Sequence, residues 1–177
     1  MRILKILLIV VAIAIVVILA LALRQPDTYL VQRSTVIQAP PEKVYAILED
    51  FGRSPEWSPY EKKDPNMKRT RSGPEKGKGA VYAFEGNKEV GTGRLTMVDA
   101  VPPNKLVIRL DMIEPMAMSN TIEYTLVPQG SGTQVTWAMR GGMPFISKVM
   151  CVFIDIDKMI GKDFETGLAA LKAVAEK

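Results

Sequence analysis

Residues 105–139, KLVIRLDMIEPMAMSNTIEYTLVPQGSGTQVTWAM, decide the fold, because apolar and polar side chains alternate in three segments of this stretch. A period of two residues is typical of a β-strand with one covered face and one wet face. The turn at 128–132, PQGSG, predicts that the last two segments pair antiparallel. The covered face is assigned to Leu106, Ile108, Leu110 and Met112, to Ile122, Tyr124 and Leu126, and to Val135, Trp137 and Met139.

The chain after this stretch ends in a helical pattern. Apolar or small residues recur there at spacings of three and four: Ile156, Ile160, Phe164, Gly167, Leu171 and Val174. This spacing predicts a long amphipathic helix, and the covered face of the sheet is its natural packing partner.

Earlier segments complete an α+β pattern. Residues 29–37 predict a first strand, and 67–71, 80–85 and 90–99 predict three more. A helix is expected from 39–42, APPE, since proline and an early acidic residue suit a first helical turn. Ser54 is the expected N-cap of a second short helix. The predicted order is strand, two short helices, six strands and the long helix.

Residues 6–23 form a separate segment of 18 consecutive Ile, Leu, Val and Ala residues. As a helix this run is roughly 27 Å long, which matches the hydrocarbon thickness of a bilayer. We favour an uncleaved membrane anchor that comprises residues 1–24, followed by a linker at 25–28 and a domain at 29–177. A cleaved signal peptide, with 20–22 as its small-x-small site, is the alternative. Arg2 and Lys5 predict an inside N-terminus and a domain on the outer, periplasmic or extracellular side.

Charge and composition exclude several classes of function. The net charge is +4, but Arg2, Lys5 and Arg24 flank the apolar run. The rest of the chain has 20 basic and 19 acidic residues. The near-neutral remainder predicts no nucleic-acid partner. The chain has no histidine, which excludes Ser-His and Cys-His catalysis and His-ligated metal sites. We expect no metal and no cofactor. The single Cys151 excludes an internal disulfide and is expected to be a small buried hydrophobe.

Two stretches carry a family resemblance. Residues 33–45, RSTVIQAPPEKVY, and 51–60, FGRSPEWSPY, together with the order of elements over 29–177, resemble the START-like or SRPBCC superfamily, which includes the polyketide cyclase/dehydrase-like proteins. The resemblance implies a helix-grip fold, in which a curved antiparallel sheet wraps a long C-terminal helix and leaves an apolar cavity. Related domains bind lipids, sterols, polyketide intermediates or plant hormones, and a minority catalyse cyclisation or dehydration. The superfamily shares no catalytic set, so no catalytic residue is carried over.

Apolar residues on these elements are candidates for lining such a cavity. The candidate ligand-binding residues are Tyr82, Phe84, Met97, Met112, Tyr124, Trp137 and Phe164, with Trp57 and Tyr60 at the mouth. Core packing explains any one of them equally well. Flexible thioethers favour an adaptable apolar surface at one end of the sheet, formed by Met112, Met116, Met118, Met139 and Met143.

Polar residues give weaker indications. Glu85 and Arg94 are the candidates for acid–base or carbonyl-polarising chemistry, whereas Arg109 and Asp111 are expected to form a solvent-facing pair. The basic residues of 62–78 suggest contact with anionic lipid headgroups, although solvated loop charge is favoured over it. Residues 145–154 fit a mobile lid, a patch on the bilayer or a core helix.

These observations lead to one function and two alternatives. We expect membrane-anchored binding of a hydrophobic small molecule or lipid in a cavity between the sheet and the C-terminal helix, with 6–23 in the membrane. An enzyme of the cyclase/dehydrase kind, acting on a polyketide-like or other apolar substrate, is one alternative. A non-catalytic membrane interaction module is the other.

Overall fold

The computed structural model describes residues 2–177, which form six α-helices, a short 3-10 turn and seven β-strands. The helices are α1 (Arg2–Leu23), α2 (Pro41–Leu48), α3 (Ser54–Trp57), α4 (Pro59–Lys63), α5 (Phe145–Cys151) and α6 (Ile156–Ala175), and the 3-10 turn is Phe51–Arg53. The strands are β1 (Thr28–Ile37), β2 (Lys68–Ser72), β3 (Val81–Glu85), β4 (Thr92–Val101), β5 (Lys105–Glu114), β6 (Met118–Gln129) and β7 (Gly132–Gly142).

All seven strands form one antiparallel sheet in the order β1-β7-β6-β5-β4-β3-β2. α6 packs against the inner face of this curved sheet, so the predicted α+β helix-grip architecture is confirmed. The alternation is confirmed as well: Ile108, Tyr124 and Trp137 are buried on the inner face. A register shift between Met97 and Asp99 interrupts the β4–β5 ladder, and such irregularities bend a strand.

Several element boundaries differ from the sequence expectation. The strand expected at 90–99 runs from Thr92 to Val101, because Gly91 has a φ of 75° and ends the preceding turn. Ser54 is the first residue of α3 and not its N-cap, which is Arg53. The expected second helix is two helices, since Ser58 adopts an extended conformation and Pro59 starts α4. Residues 145–154 contain a separate helix, α5, that ends at Cys151 before α6 begins.

α1 is long and apolar enough to cross a membrane, and Ala22 is its buried residue. α1 contacts α5, and the burial of Ala22 places the packed part of α1 near its C-terminal end. Asp27, in the short connection to β1, holds this region together. Its side chain accepts a hydrogen bond from Lys148 Nζ at 2.5 Å, and its carbonyl accepts one from the amide of Met143 at 2.7 Å.

Arg33 on β1 fastens the start of the sheet to α6. Its guanidinium donates to Asp157 at 2.9 Å and to Glu165 at 2.8 Å, and these hydrogen bonds raise its pKa. The side chain lies over Gly161, where a Cβ atom would collide with it. Gly161 therefore leaves room on α6 for the guanidinium of Arg33.

Candidate functional site

The centre of the helix-grip domain is filled by aromatic side chains. The rings of Trp137 and Phe164 stack with centroids 4.1 Å apart, and Tyr124 lies 5.2 Å from Trp137. The indole of Trp57 meets Trp137 edge to face, with centroids 5.7 Å apart. Because these rings contact one another and are nearly inaccessible to water, the middle of the domain is a packed core.

A cavity of about 310 Å³ lies beyond this core, at the end of the sheet that adjoins α1 and α5. Its walls come from β1, the β5–β6 turn, the end of β7, α5 and the first turns of α6. Six of the ten methionines of the chain line it, and we name it the methionine cavity: Met112, Met116, Met118, Met143, Met150 and Met159. Its size is at the lower limit for small-molecule sites in proteins.

Four of the five methionines expected to lie together, Met112, Met116, Met118 and Met143, line this cavity. Met139 is the exception, because it is buried within the core cluster instead. Met150 and Met159 complete the cavity from α5 and α6, and their positions depend on how these helices fold back over the sheet.

A second, more open cavity of about 440 Å³ adjoins the first. Tyr29 and Cys151 line both cavities, so the two spaces share a wall. Burial raises the pKa of the Tyr29 phenol and that of the Cys151 thiol. Cys151 is only half-buried, which corrects the expectation of a fully buried residue.

α5 forms one wall of the methionine cavity, but its own side chains stay partly or fully exposed to solvent. None of the residues of α5, Phe145–Cys151, is buried. The interpretation of 145–154 as a core helix is therefore wrong, and the lid and bilayer interpretations stay open. The exposed side chains form an apolar patch beside the end of α1, made of Phe145, Ile146, Met150, Phe153 and Ile154.

The structure places most of the predicted ligand-binding residues away from the two cavities. Met112 lines the methionine cavity. The others belong to the core cluster or pack against it: Trp57, Tyr60, Tyr82, Phe84, Met97, Tyr124, Trp137 and Phe164. Their contact with a ligand stays a prediction, and their observed contacts are with the protein itself.

Glu85 and Arg94 have no place in either cavity. Glu85 is 60% exposed and pairs with Lys68 at 2.8 Å, and Arg94 is 51% exposed and pairs with Asp111 at 3.4 Å. The idea that they act inside a dry pocket is therefore not supported by their positions. Asp111 also pairs with Arg109 at 2.9 Å, as expected for a pair on the outer face. A hydrogen bond from Ser119, supported by Arg109, lowers the pKa of Asp111.

Sequence reasoning missed a buried polar cluster around Glu61. This carboxylate on α4 is 6% exposed and accepts hydrogen bonds from the Tyr82 hydroxyl and from Arg69 Nε, the latter at 2.8 Å. Burial and the hydrogen bond to Glu61 raise the pKa of Tyr82. Because both carboxylate oxygens have partners, the cluster fixes α4 to strands β2 and β3 of the sheet.

The basic stretch at 62–78 is largely neutralised within the protein. Its ion pairs are Lys63–Asp163, Lys68–Glu85, Arg69–Glu61, Lys76–Glu49 and Lys78–Asp99. The amide of Gly77 also donates to the carbonyl of Glu49, which holds the β2–β3 turn against the end of α2. The favoured interpretation, solvated surface charge, agrees with these contacts.

The fold and the methionine cavity define a helix-grip domain with an apolar internal space. Residues 29–176 match the protein family described as "Polyketide cyclase / dehydrase and lipid transport", and the chain belongs to this family. A comparison with curated protein sequences found no significant match.

Solved structures share the fold at low sequence identity. Protein CV1439 from Chromobacterium violaceum is 17% identical with a TM-score of 0.60, over 86% of this chain and 99% of its own. The Aha1 dimer from Colwellia psychrerythraea is 17% identical with a TM-score of 0.59, over 84% and 96%. The di-domain ARO/CYC StfQ from the steffimycin biosynthetic pathway is 13% identical with a TM-score of 0.62, over 84% and 51%.

Proposed function

We propose that this protein reversibly binds an apolar small molecule, or the acyl part of a lipid, in the methionine cavity, next to a membrane in which α1 lies. The observation that carries the proposal is the cavity itself, a partly open apolar space of about 310 Å³ with flexible thioethers on several walls. Methionine side chains adapt to ligands of different shape because they are unbranched and polarisable. The family description, which includes lipid transport, is in keeping with this proposal.

The lining of the methionine cavity favours binding over catalysis. Within the described part of the chain, the fourteen residues around it include no Asp, Glu, Lys or Arg. Acid–base chemistry needs a titratable group within hydrogen-bonding reach of the substrate. The groups present, Tyr29, Ser147 and Cys151, lack a neighbouring base among the residues that line this space.

The connection between α1 and β1 supports a location at the membrane surface. Only residues 24–27 separate Leu23 from Thr28, and four extended residues span at most about 14 Å. The end of the sheet that carries Tyr29 and the methionine cavity is therefore held close to the end of α1. The apolar patch, with Phe153 69% exposed, lies at the same end. We propose that this patch rests in the lipid headgroup region, so that an apolar ligand enters from the bilayer.

The side of the membrane is part of the proposal. Arg2 and Lys5 precede the apolar run, which favours an inside N-terminus and an outside domain. The test uses a Cys151→Ser chain with Val127→Cys, because Val127 is 48% exposed and lies at the end of β6 distant from Met118. We expect a membrane-impermeant maleimide to label Cys at 127 on intact cells. Labelling only after permeabilisation would place the domain inside.

Photo-crosslinking tests the binding site. The full chain is reconstituted in phosphatidylcholine vesicles with a diazirine-bearing fatty acid, irradiated and mapped by peptide mass spectrometry. We expect adducts on α1, which reports on the membrane, and also on the 112–118 segment. Adducts confined to α1 and the apolar patch would remove the binding proposal and favour a membrane interaction module.

A further inference from the structure

Three residues form a row across β1, β7 and β6 at the cavity end of the sheet. Tyr29 on β1 and Asn120 on β6 both pair with Gly141 on β7, one from each side. Because Gly141 has no side chain, its neighbours converge above it. A Cβ atom on Gly141 would collide with Asn120 Oδ1 and would lie 2.9 Å from Cε1 of Tyr29. The glycine therefore provides the space that the Asn120 amide occupies.

Asn120 is a polar residue on an apolar face. It alternates with Met118 and Ile122 on the inner side of β6 and is only 4% exposed. Among residues 2–177 its buried Oδ1 has no hydrogen-bond partner. An unpaired buried acceptor of this kind costs about 1–3 kcal/mol. Such a cost is expected where a polar group serves something other than packing.

The position of Asn120 connects it with the methionine cavity. Met118 lines the cavity, and Asn120 is the next inward-facing residue along β6, one step toward the core. Tyr29, which belongs to the row, and Gly142, which follows Gly141, also line the cavity. Two buried nitrogens, Trp57 Nε1 and Trp137 Nε1, are unpaired as well, but they lie within the filled aromatic core. The hydroxyl of Tyr45 is unpaired too, but it belongs to α2, which contributes no residue to the cavity lining. Asn120 does not itself line the cavity, but it is the unpaired group that follows a lining residue, Met118, on the same face of its strand.

We propose that Asn120 is the polar recognition point of the methionine cavity and that the ligand is an otherwise apolar molecule with one hydroxyl or carbonyl group. A carboxamide offers an acceptor and two donors, so it pairs with either group. A hydrocarbon without a polar group leaves the amide unpaired and binds more weakly. This inference rests on the proposed function, because it requires the methionine cavity to hold a ligand.

The test compares two probes of nearly equal size, decanol and undecane, which differ in a terminal hydroxyl against a methyl group. The full chain in detergent micelles is labelled with ¹³C at its methionine methyl groups, and each probe is titrated while the signals of Met112 and Met118 are followed. Both methyl groups report directly on cavity occupancy. Because the two probes partition differently into micelles, the ratio of their apparent dissociation constants is compared between variants, where partitioning cancels.

The variants are Asn120→Leu, which keeps the shape, and Asn120→Ala, which is smaller and introduces no clash. Thr121→Val, on the outer face of the same strand, is the matched control. We expect both Asn120 substitutions to lower the preference for decanol about tenfold, in line with the loss of one buried hydrogen bond, while Thr121→Val leaves it unchanged. An unchanged preference in both Asn120 variants, with either probe still bound, would overturn the role of Asn120 and leave the proposed function intact. Methionine signals that respond to neither probe would overturn the proposed function and the inference together.

Discussion

Gly167 of α6 lies directly against the indole of Trp137. A Cβ atom at this position would be 2.7 Å from Cζ3 of Trp137 and 3.0 Å from Cδ of Pro59. One turn earlier on α6, Phe164 stacks on the same indole. The absence of a side chain at 167 therefore sets how closely the long helix approaches the sheet and the first residue of α4.

Gly167→Ala should lower the free energy of unfolding by about 1–3 kcal/mol, because the added methyl group overpacks the Trp137 contact. Thermal unfolding of the full chain in detergent measures the change. Thr166→Ala, at an exposed position of the same helix, is the control and should leave the midpoint nearly unchanged. Equal midpoints for the parent chain and Gly167→Ala would show that the helix shifts without cost.

Asn120→Leu should raise the free energy of unfolding by about 1 kcal/mol in the absence of ligand, since it removes a buried acceptor without a partner. The same substitution should weaken ligand recognition, which is the usual relation between stability and function at a binding site. Thermal midpoints measure the effect, and Asn104→Leu, at an exposed turn, is the matched control. A lower midpoint for Asn120→Leu would indicate that the amide is paired and structural.

The ion pair between Arg33 and Asp157 should make stability depend on pH. The hydrogen bond from Arg33 lowers the pKa of Asp157 below its unfolded value, so the pair stabilises the fold above that value. This stabilisation is lost as the pH falls below about 4 toward the lowered pKa. Asp157→Asn should therefore lower the thermal midpoint at pH 7 and lower it by less at pH 3. In an Arg33→Gln background the pH dependence of the Asp157→Asn effect should vanish. A difference that is the same at both pH values would contradict this account.

Phe153 should be in contact with lipid. In a Cys151→Ser chain, an environment-sensitive fluorophore is placed on Phe153→Cys and, as the matched control, on Val127→Cys. Both native side chains are exposed and apolar, but only Phe153 lines the same cavity as Gln25, which follows the end of α1. In vesicles that contain spin-labelled lipid, we expect strong quenching at 153 and weak quenching at 127. Equal quenching would show that the apolar patch faces water.

The sequence predicted the sheet and the long helix well, because their patterns are strong. The alternation from Leu106 to Met139 predicts a sheet with one apolar face. The spacing from Ile156 to Val174 predicts a helix with one apolar face, which can pack on that side of the sheet. The helix that begins at Pro59 and the cluster around Glu61 were missed. The partners of Glu61, Arg69 and Tyr82, lie on two different strands, and local sequence patterns do not reveal the register of these strands.

The candidate site was predicted only in part. A large inward-facing ring has the same sequence signal whether it packs on another ring or borders a cavity, so Trp137 and Phe164 could not be told apart from Met112. The methionines were recognised because several occur near one strand end. Asn120 was missed because its burial depends on Gly141, which lies opposite it on a neighbouring strand.

Native mass spectrometry of the full chain, released gently from the membranes of its own host, tests the central claim most directly. The comparison includes Ser147→Phe, which places a ring in the methionine cavity, and Ser131→Phe, an exposed substitution in the β6–β7 turn. We predict a defined apolar molecule with one hydroxyl or carbonyl group on the parent chain and on Ser131→Phe, and its loss from Ser147→Phe. A parent chain that carries no such molecule, even after incubation with a lipid extract of the host, would contradict the account.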